Sequence, residues 1–241
     1  MQASFIDVKN LTVAYGSKII QQNLTFSVKE KDIFVIMGGS GCGKSSLLRV
    51  LMGLLKPGAG QVFYRGVDFW GNEKAQQDIL RSIGVMFQGG ALWTSRTLAE
   101  NIAIPLEQFT NLNARQIYEV ARYKLAQVGL SGFEEYYPSE ISGGMRKRAG
   151  IARALALDPD FVFLDEPSAG LDPVSSARLD ELILQLRDSL GMTIIIVTHE
   201  LASIFAVANN AVWLDAQSKT MLAEGNPHEL LKHGPEAVRK F

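Results

Sequence analysis

Residues 33–51 read Ile33-Phe34-Val35-Ile36-Met37, then Gly38-Gly39-Ser40-Gly41-Cys42-Gly43-Lys44-Ser45, then Ser46-Leu47-Leu48-Arg49-Val50-Leu51. The first part is a continuous apolar run, which is typical of a strand buried on both faces of a parallel sheet. The middle part fits the pattern G-x-x-x-x-G-K-[ST]. From the last part onward, leucines recur with the 3.6-residue period of a helix, namely Leu47, Leu48, Leu51, Leu54 and Leu55. The stretch therefore predicts a strand, a phosphate-binding loop and a helix.

The glycine-rich loop has the residue types that phosphate binding requires. Glycines allow the backbone N–H groups to turn toward phosphates, and the following helix N-terminus adds partial positive charge. Lys44 supplies a mobile cation for the β- and γ-phosphates, and the Ser45 hydroxyl is a ligand for Mg²⁺. Cys42 is interpreted as a small filler inside the loop, with a reactive thiol as the second possibility.

Composition limits the class of protein. Of 241 residues, 47% are hydrophobic and 20% are charged, and the net charge is -1, which favours a globular chain and gives no sign of a nucleic-acid surface. One cysteine excludes an internal disulfide. Met1–Asp7 lacks the pattern of a signal peptide. No run approaches the roughly 20 apolar residues that cross a bilayer, so any membrane role is expected to be peripheral.

The rest of the pattern predicts an α/β fold with an inserted helical part. Phe5–Tyr15 and 24–28 alternate apolar and polar residues, which indicates antiparallel strands near the N-terminus. Phe161–Leu164 and Ile194–Val197 are continuous apolar runs and predict more parallel strands. Residues 88–158 contain helical patterns and no convincing strand, and the helix that Ser142-Gly143-Gly144 can cap is predicted to stop near Asp158-Pro159. We therefore predict one domain over 1–241, with a core of residues 1–87 and 159–241 and a helical subdomain of residues 88–158.

Two carboxylates follow the apolar run that ends at Leu164. Buried strands rarely end in charge unless the charge is paired or bound to a metal. Asp165 is predicted to lie near Mg²⁺, mostly through water. Glu166 is predicted to polarise the water that attacks the γ-phosphate.

Beyond these two motifs, nearly the whole chain resembles the ATP-binding cassette (ABC) family. Ile141–Met145 is similar to the family signature Leu-Ser-Gly-Gly-Gln, and Ser168–Asp172 is similar to the D-loop. Gln88 follows a strand as the Q-loop glutamine does, and His199 follows one as the switch histidine does. Tyr15 lies where the family places an aromatic ring against adenine. Taken alone, His199 could be an ordinary histidine at a strand end, and Tyr15 a surface aromatic.

The resemblance implies the fold of a P-loop NTPase nucleotide-binding domain, with a mixed core sheet flanked by helices and an N-terminal antiparallel part. It implies ATP and Mg²⁺ as cofactors, with Mg²⁺ held by Ser45, Gln88 and Asp165. Catalysis is expected to depend on Glu166, His199, Lys44 and Gln88. The residues expected to bind ATP are Tyr15, Gly38, Gly39, Ser40, Gly41, Cys42, Gly43, Lys44, Ser45, Ser46, Ser142, Gly143, Gly144 and Asp172.

The signature segment caps a predicted helix, so its N–H groups form a second anion site. One chain cannot aim that site at its own γ-phosphate, and the resemblance therefore implies a head-to-tail homodimer with ATP between the two copies. Met145 replaces the usual glutamine and removes one polar contact near the ribose, while the backbone site stays intact. We interpret Arg146–Arg148 as a solvated helix face rather than a patch for an acidic ligand.

Three segments resemble the ATPases of Mla-type lipid transporters, namely Phe87–Trp93, Leu98–Leu106 and Pro138–Met145. This resemblance implies an integral membrane permease, a mammalian-cell-entry (MCE) domain protein that binds substrate, and a small regulatory subunit as a further partner. It also implies phospholipid cargo and a place on the cytoplasmic face of a bacterial inner membrane.

Three alternatives remain at this point. An ABC ATPase for another cargo, such as solvent export or small-solute import, would keep the same chemistry. A soluble ABC protein acting on DNA or ribosomes would carry long coiled-coil insertions or two cassettes, and this chain has neither. A binding module without turnover would not need Lys44, Asp165, Glu166 and His199 together.

Overall fold

The chain is described from residue 4 to residue 239 by a computed structural model, and within this range it forms two sheets and nine α-helices. The strands are β1 (Ser4–Tyr15), β2 (Lys18–Lys29), β3 (Ile33–Gly38), β4 (Ala59–Tyr64), β5 (Val67–Asp68), β6 (Ile83–Met86), β7 (Phe161–Asp165), β8 (Thr193–Val197), β9 (Asn210–Leu214) and β10 (Met221–Gly225). The helices are α1 (Lys44–Leu51), α2 (Glu73–Arg81), α3 (Leu98–Phe109), α4 (Ala114–Gln127), α5 (Gly143–Ala154), α6 (Pro173–Leu190), α7 (Leu201–Val207), α8 (Pro227–His233) and α9 (Glu236–Arg239).

The main sheet has six strands in the order β10-β9-β3-β8-β7-β6. All of its neighbours pair in parallel except β9 and β10, which pair antiparallel. Strands β3 and β8 are buried at every position, which explains their uninterrupted apolar sequences. The predicted mixed α/β fold is thus confirmed, and the carboxyl ends of the parallel strands form one edge that can carry a site.

A second sheet has the order β2-β1-β4-β5 and is antiparallel throughout. Its inner face packs on the main sheet through aromatic contacts, such as that of Phe26 with Phe34, whose ring centroids lie 5.4 Å apart. A separate apolar cluster joins the other face of the main sheet to α3, α4 and α5. These three helices, with a short 3-10 helix at Pro138–Glu140, are the regular elements between residues 88 and 158.

Two helices end earlier than the sequence pattern predicts. Helix α1 stops at Leu51, so Leu54 and Leu55 lie beyond it, because the chain turns at Gly53 with a φ of 77°. Helix α5 ends at Ala154, and not near Asp158 as predicted, because a turn with Asp158 at a φ of 50° must lead the chain back into β7.

The predicted domain limits at residues 1 and 241 fall outside the described residues, as does part of the Met1–Asp7 segment. Within residues 4–239, no helix combines the length and the apolar character that a bilayer crossing requires.

Candidate active site

The glycine-rich loop connects β3 to α1, as its sequence predicts. Its shape depends on close packing against the rest of the chain. A Cβ atom on Gly38 would collide with the Leu214 carbonyl oxygen, and one on Gly43 would lie 2.6 Å from Ile20 Cγ2. Both glycines have positive φ, 147° and 102° respectively, a conformation that side chains disfavour. Glycine is therefore required at these two positions for fit as well as for conformation.

Two side chains support the loop from within. Gln21 is fully buried, and its Nε2 donates to the Cys42 carbonyl at 2.6 Å and to the Asp215 carbonyl at 2.8 Å. Lys44 Nζ donates to the carbonyls of Gly38 and Gly39 at 2.9 and 3.1 Å. The ammonium of Lys44 therefore lies against the loop that is expected to hold phosphates. Cys42 is buried, and burial raises the pKa of its thiol, which fits the filler role better than that of a reactive nucleophile.

Tyr15 ends β1 beside the N-terminal part of α1. Its ring is 42% exposed, and its hydroxyl oxygen accepts from Arg49 Nη1 at 3.1 Å. A hydrogen bond from Ser46, and then Arg49, lowers the pKa of the tyrosine. The hydroxyl is thus fixed to α1 while the ring stays open to solvent, a placement compatible with stacking on a base.

Each of the two carboxylates at the end of β7 has one oxygen that accepts no hydrogen bond from the part of the chain that the structure describes. Asp165 Oδ1 and Glu166 Oε2 are both buried, and within residues 4–239 neither accepts a hydrogen bond. Burial, followed by the charge of Glu166, raises the pKa of Asp165, while Arg49, Lys44 and Lys147 act in the opposite direction. Free carboxylate oxygens are the ligands that a hard metal ion such as Mg²⁺ prefers. The exposed Ser45 hydroxyl on α1 adds a further oxygen.

Glu166 and His199 form a pair. Glu166 Oε1 lies 2.8 Å from His199 Nδ1, although the sequence separates them by 33 residues. The parallel register of β7 and β8 sets Asp165 opposite Val197, so the residues that follow the two strands meet. His199 is exposed and Glu166 is largely buried, with side-chain exposures of 60% and 12%. Such a pair can hold one carboxylate oxygen in place while the other accepts a proton.

The signature segment and the D-loop both cap helices. Ser142 is the N-cap of α5, and its hydroxyl accepts from the Met145 N–H at 3.2 Å. Asp172 is the N-cap of α6 and accepts from the N–H groups of Val174 and Ser175, each at 3.0 Å. A side-chain hydrogen bond from Ser175, together with these backbone bonds, lowers the pKa of Asp172. The Asp172 carboxylate is thus occupied by its own helix.

Comparison with known proteins decides the family. Residues 21–169 match the family described as ABC transporter. The chain belongs to the ABC transporter family.

This ABC chain is 38% identical over its full length to the intermembrane phospholipid transport system ATP-binding protein MlaF of Haemophilus influenzae, of which it covers 91%. It is 41% identical over 98% of its length to the probable ribonucleotide transport ATP-binding protein mkl of Mycobacterium bovis, of which it covers 66%. Among solved structures, it resembles cbiO1 of Clostridium perfringens, part of the ABC transporter complex cbiONQ, with a TM-score of 0.87, 26% identity and coverage of 99% and 94% of the two chains. It also resembles a dimeric ATP-binding cassette in a post-hydrolysis state with ADP and Pi, with a TM-score of 0.80, 28% identity and coverage of 92% and 98%. The ABC chain is accordingly a nucleotide-binding ATPase coupled to transport.

The ABC signature is not joined to the phosphate loop of the same chain. Within the described residues, no hydrogen bond connects Ser142–Gly144 with Gly38–Ser45. Gly143 faces the D-loop, where an added Cβ would lie 3.6 Å from Leu171, and Gly144 faces the start of α6, where an added Cβ would lie 3.7 Å from Ser175. Gln88 is exposed just after β6. The structure therefore brings Glu166 and His199 into contact and leaves the signature apart.

The interpretation of Arg146–Arg148 as a solvated helix face is wrong. Arg146 donates to the Ile141 carbonyl at 2.7 Å, and Arg148 donates to the Val128 carbonyl at 3.3 Å. Lys147 is only 6% exposed, and its Nζ donates to the Glu166 carbonyl at 3.1 Å. All three cations bind backbone carbonyls because α5 is packed between other elements instead of lying on the surface.

Arg153, like Lys147, lies near the site, and the sequence alone did not indicate it as a site residue. Its guanidinium donates to the Ala91 and Gly90 carbonyls at 2.8 and 3.0 Å, in the loop that begins at Gln88. Gly150, one turn earlier, approaches the same loop so closely that a Cβ would lie 2.9 Å from Gly90 Cα. Small residues on a helix do signal close approach, but the sequence does not say to what.

Proposed function

We propose that this chain is the ATP-hydrolysing subunit of a membrane transporter that moves phospholipid between the membranes of a bacterial envelope. The pair formed by Glu166 and His199, with its free carboxylate oxygen, carries the chemical part of the proposal. The full-length similarity to MlaF supports phospholipid as the proposed cargo.

In the proposed reaction, water attacks the γ-phosphorus of ATP, a new P–O bond forms, and the bond to the ADP oxygen breaks. The proton of the water passes to Glu166 Oε2, the buried oxygen that has no donor among the described residues. His199 holds the other oxygen through its Nδ1. Lys44 leaves the loop carbonyls and binds the β- and γ-phosphates, because their anionic oxygens are stronger hydrogen-bond acceptors than neutral carbonyl oxygens.

Mg²⁺ fits the oxygen donors of this site. Ser45, Asp165 and Gln88 would hold it, Asp165 mostly through water. When bound, the ion neutralises charge that develops on the phosphates. Asp165 Oδ1 supports this assignment, because it is buried without a donor among the described residues, and such an acceptor is costly unless a ligand satisfies it.

The second part of each ATP site comes from another copy in this proposal. The N–H groups at the start of α5 form an anion site, and they are not bonded to the phosphate loop of their own chain. A head-to-tail dimer would place Ser142–Gly144 of one copy on the γ-phosphate held by Lys44 of the other. The similar dimeric cassette with ADP and Pi supports this arrangement. Asp172 would act there through the fold of the D-loop rather than through a free carboxylate.

A membrane permease is the partner that the surface supports. A groove of about 540 Å³ lies between the main sheet and α3, and its walls include Trp93, Phe109 and Arg153. Trp93 and Phe109 are 56% and 60% exposed and line the same groove, so they form an exposed apolar patch of the kind that marks protein contact sites. We place the permease on this groove, at the cytoplasmic face of the inner membrane. An MCE-domain protein and a small regulatory subunit complete the proposed complex.

Double replacement of Trp93 and Phe109 by Ala is expected to abolish co-purification with the permease while ATP binding persists. Tyr123→Ala is the matched control, because Tyr123 is also 60% exposed on the helical part but lies outside the groove. Equal recovery of the permease with all variants would exclude this docking site.

Glu166→Gln tests the chemistry. The variant should bind ATP and form a stable dimer with it, while turnover falls by about 10²–10⁴-fold, the usual contribution of a general base. Glu181→Gln, which removes the same charge from an exposed position on α6, should turn over normally. Phosphate release and size-exclusion chromatography with ATP provide the readouts. Normal turnover by Glu166→Gln would overthrow the assignment of the base.

A second cargo has specific support, since the mycobacterial relative is named for probable ribonucleotide transport. Purifying the complex from native membranes and identifying the co-eluting small molecules distinguishes the two. Phospholipid together with an MCE-domain protein supports the proposal. Ribonucleotide in place of lipid, with ATP turnover stimulated by it, supports the alternative.

A further inference from the structure

Lys147 is a buried lysine that no part of the proposed mechanism uses. It lies five residues beyond Ser142 on α5, and only 6% of it is exposed. Its ammonium crosses to the main sheet and donates to the Glu166 carbonyl at 3.1 Å. Burial lowers the pKa of Lys147, and the charges of Glu166, Glu200 and Asp165 oppose this. An ammonium is rarely buried without a partner that compensates for its lost hydration.

The residue that Lys147 holds has an unusual backbone. Glu166 has a φ of 49°, in the left-handed region that non-glycine residues disfavour. Its N–H donates to the Val197 carbonyl at 2.8 Å and its carbonyl accepts from Lys147, so the peptide groups on both sides are fixed. This conformation directs the carboxylate to His199 Nδ1. Strained conformations of this kind persist where surrounding contacts hold them, and they are common at active sites.

We propose that Lys147 is a positioning residue that holds Glu166 in its catalytic conformation and ties α5 to the catalytic glutamate of the same chain. The inference rests on the proposed function, in which Ser142 binds the γ-phosphate of the ATP held by the other copy. Ser142 and Lys147 are five residues apart, or about 7.5 Å along the helix axis. Each α5 would then connect the γ-phosphate of one site to the base of the other, so the two sites would be coupled through the helix.

The test uses mixed dimers, purified with the membrane partner by two different tags, in which one copy carries Glu166→Gln and a single catalytic site remains. Lys147→Met, which keeps the length and removes the donor, is placed either in the copy with intact Glu166 or in the other copy. In the first arrangement we expect kcat to fall about tenfold or more with the ATP KM within about threefold, since a charge-assisted hydrogen bond to the catalytic residue is lost. In the second arrangement kcat should stay within about twofold.

If Lys147→Met instead damaged α5 and its N-cap Ser142, kcat would fall in the second arrangement and not in the first. The reason is that the Ser142 at the intact site belongs to the copy with Glu166→Gln. A loss in the second arrangement, an equal loss in both, or no loss in either would overturn the inference. Lys147→Arg in the copy with intact Glu166 should restore at least half of kcat, because it retains a cationic donor. If Lys147→Met fails to fold, Lys147→Gln takes its place in both arrangements with the same expected asymmetry. Normal turnover when both copies carry Glu166→Gln would instead refute the proposed function.

Discussion

The bond between Arg153 and the loop after Gln88 gives a prediction that can be worked out in magnitude. Arg153→Met removes two hydrogen bonds from a charged donor, at 2.8 and 3.0 Å, and keeps much of the apolar stem. Each such bond contributes about 1.5–3 kcal/mol. Because Ala91 is exposed and its carbonyl can bind water, we expect a total loss of about 2–4 kcal/mol. For a chain of this size that corresponds to a fall in Tm of about 5–15 °C.

The assay is thermal unfolding followed by circular dichroism, with Arg122→Met as the control. Arg122 is 52% exposed and, within residues 4–239, forms an ion pair with Glu119 three residues earlier on the same helix, so its loss should cost less than about 1 kcal/mol. Phosphate release measured on the same samples should show a lower kcat for Arg153→Met, because the loop that carries Gln88 loses its anchor. A Tm within about 2 °C of the unmodified chain would refute the reasoning.

Three further predictions concern the loop, the helical part and a buried carboxyl. Lys44→Ala should abolish ATP turnover in a phosphate-release assay, and undiminished turnover would remove the loop from the mechanism. Asn101→Ala should lower the free energy of unfolding in urea by about 2–4 kcal/mol, because its fully buried amide accepts from the Trp93 N–H at 2.7 Å and donates to three carbonyls; a loss below about 1 kcal/mol would contradict this. Burial raises the pKa of Asp180, so its ionisation costs stability as the pH rises above the ordinary aspartate range. Asp180→Asn, which can still accept from Ser203, should therefore raise Tm at pH 8, and this gain in Tm should disappear below the ordinary aspartate range of pH. An equal gain in Tm at pH 8 and below that range would refute the raised pKa of Asp180.

The parts of the fold that the sequence predicts are those with local causes. The apolar runs of β3, β7 and β8 follow directly from burial on both faces, and the glycine loop follows from its own pattern. Helix ends were missed because Gly53 and Asp158 adopt positive φ only where the folded chain must turn.

The parts of the site that the sequence does not predict depend on long-range contacts. Separate motifs indicate Glu166 and His199, but their contact depends on the pairing of β7 with β8. Likewise, Lys147 looks like a solvent-facing residue until α5 is packed against the end of β7. A periodic pattern tells which residues share a helix face and does not tell what that face meets.

The phosphate loop is shaped from behind by residues that are remote from any phosphate. Ile20 and the Leu214 carbonyl limit the space at two glycines, and Gln21 anchors the Cys42 carbonyl. A loop that is already rigid binds its ligand without a large loss of conformational freedom. Affinity for nucleotide is consequently also set on the hidden side of the loop, and a variant there could weaken binding while every group that faces the ligand stays unchanged.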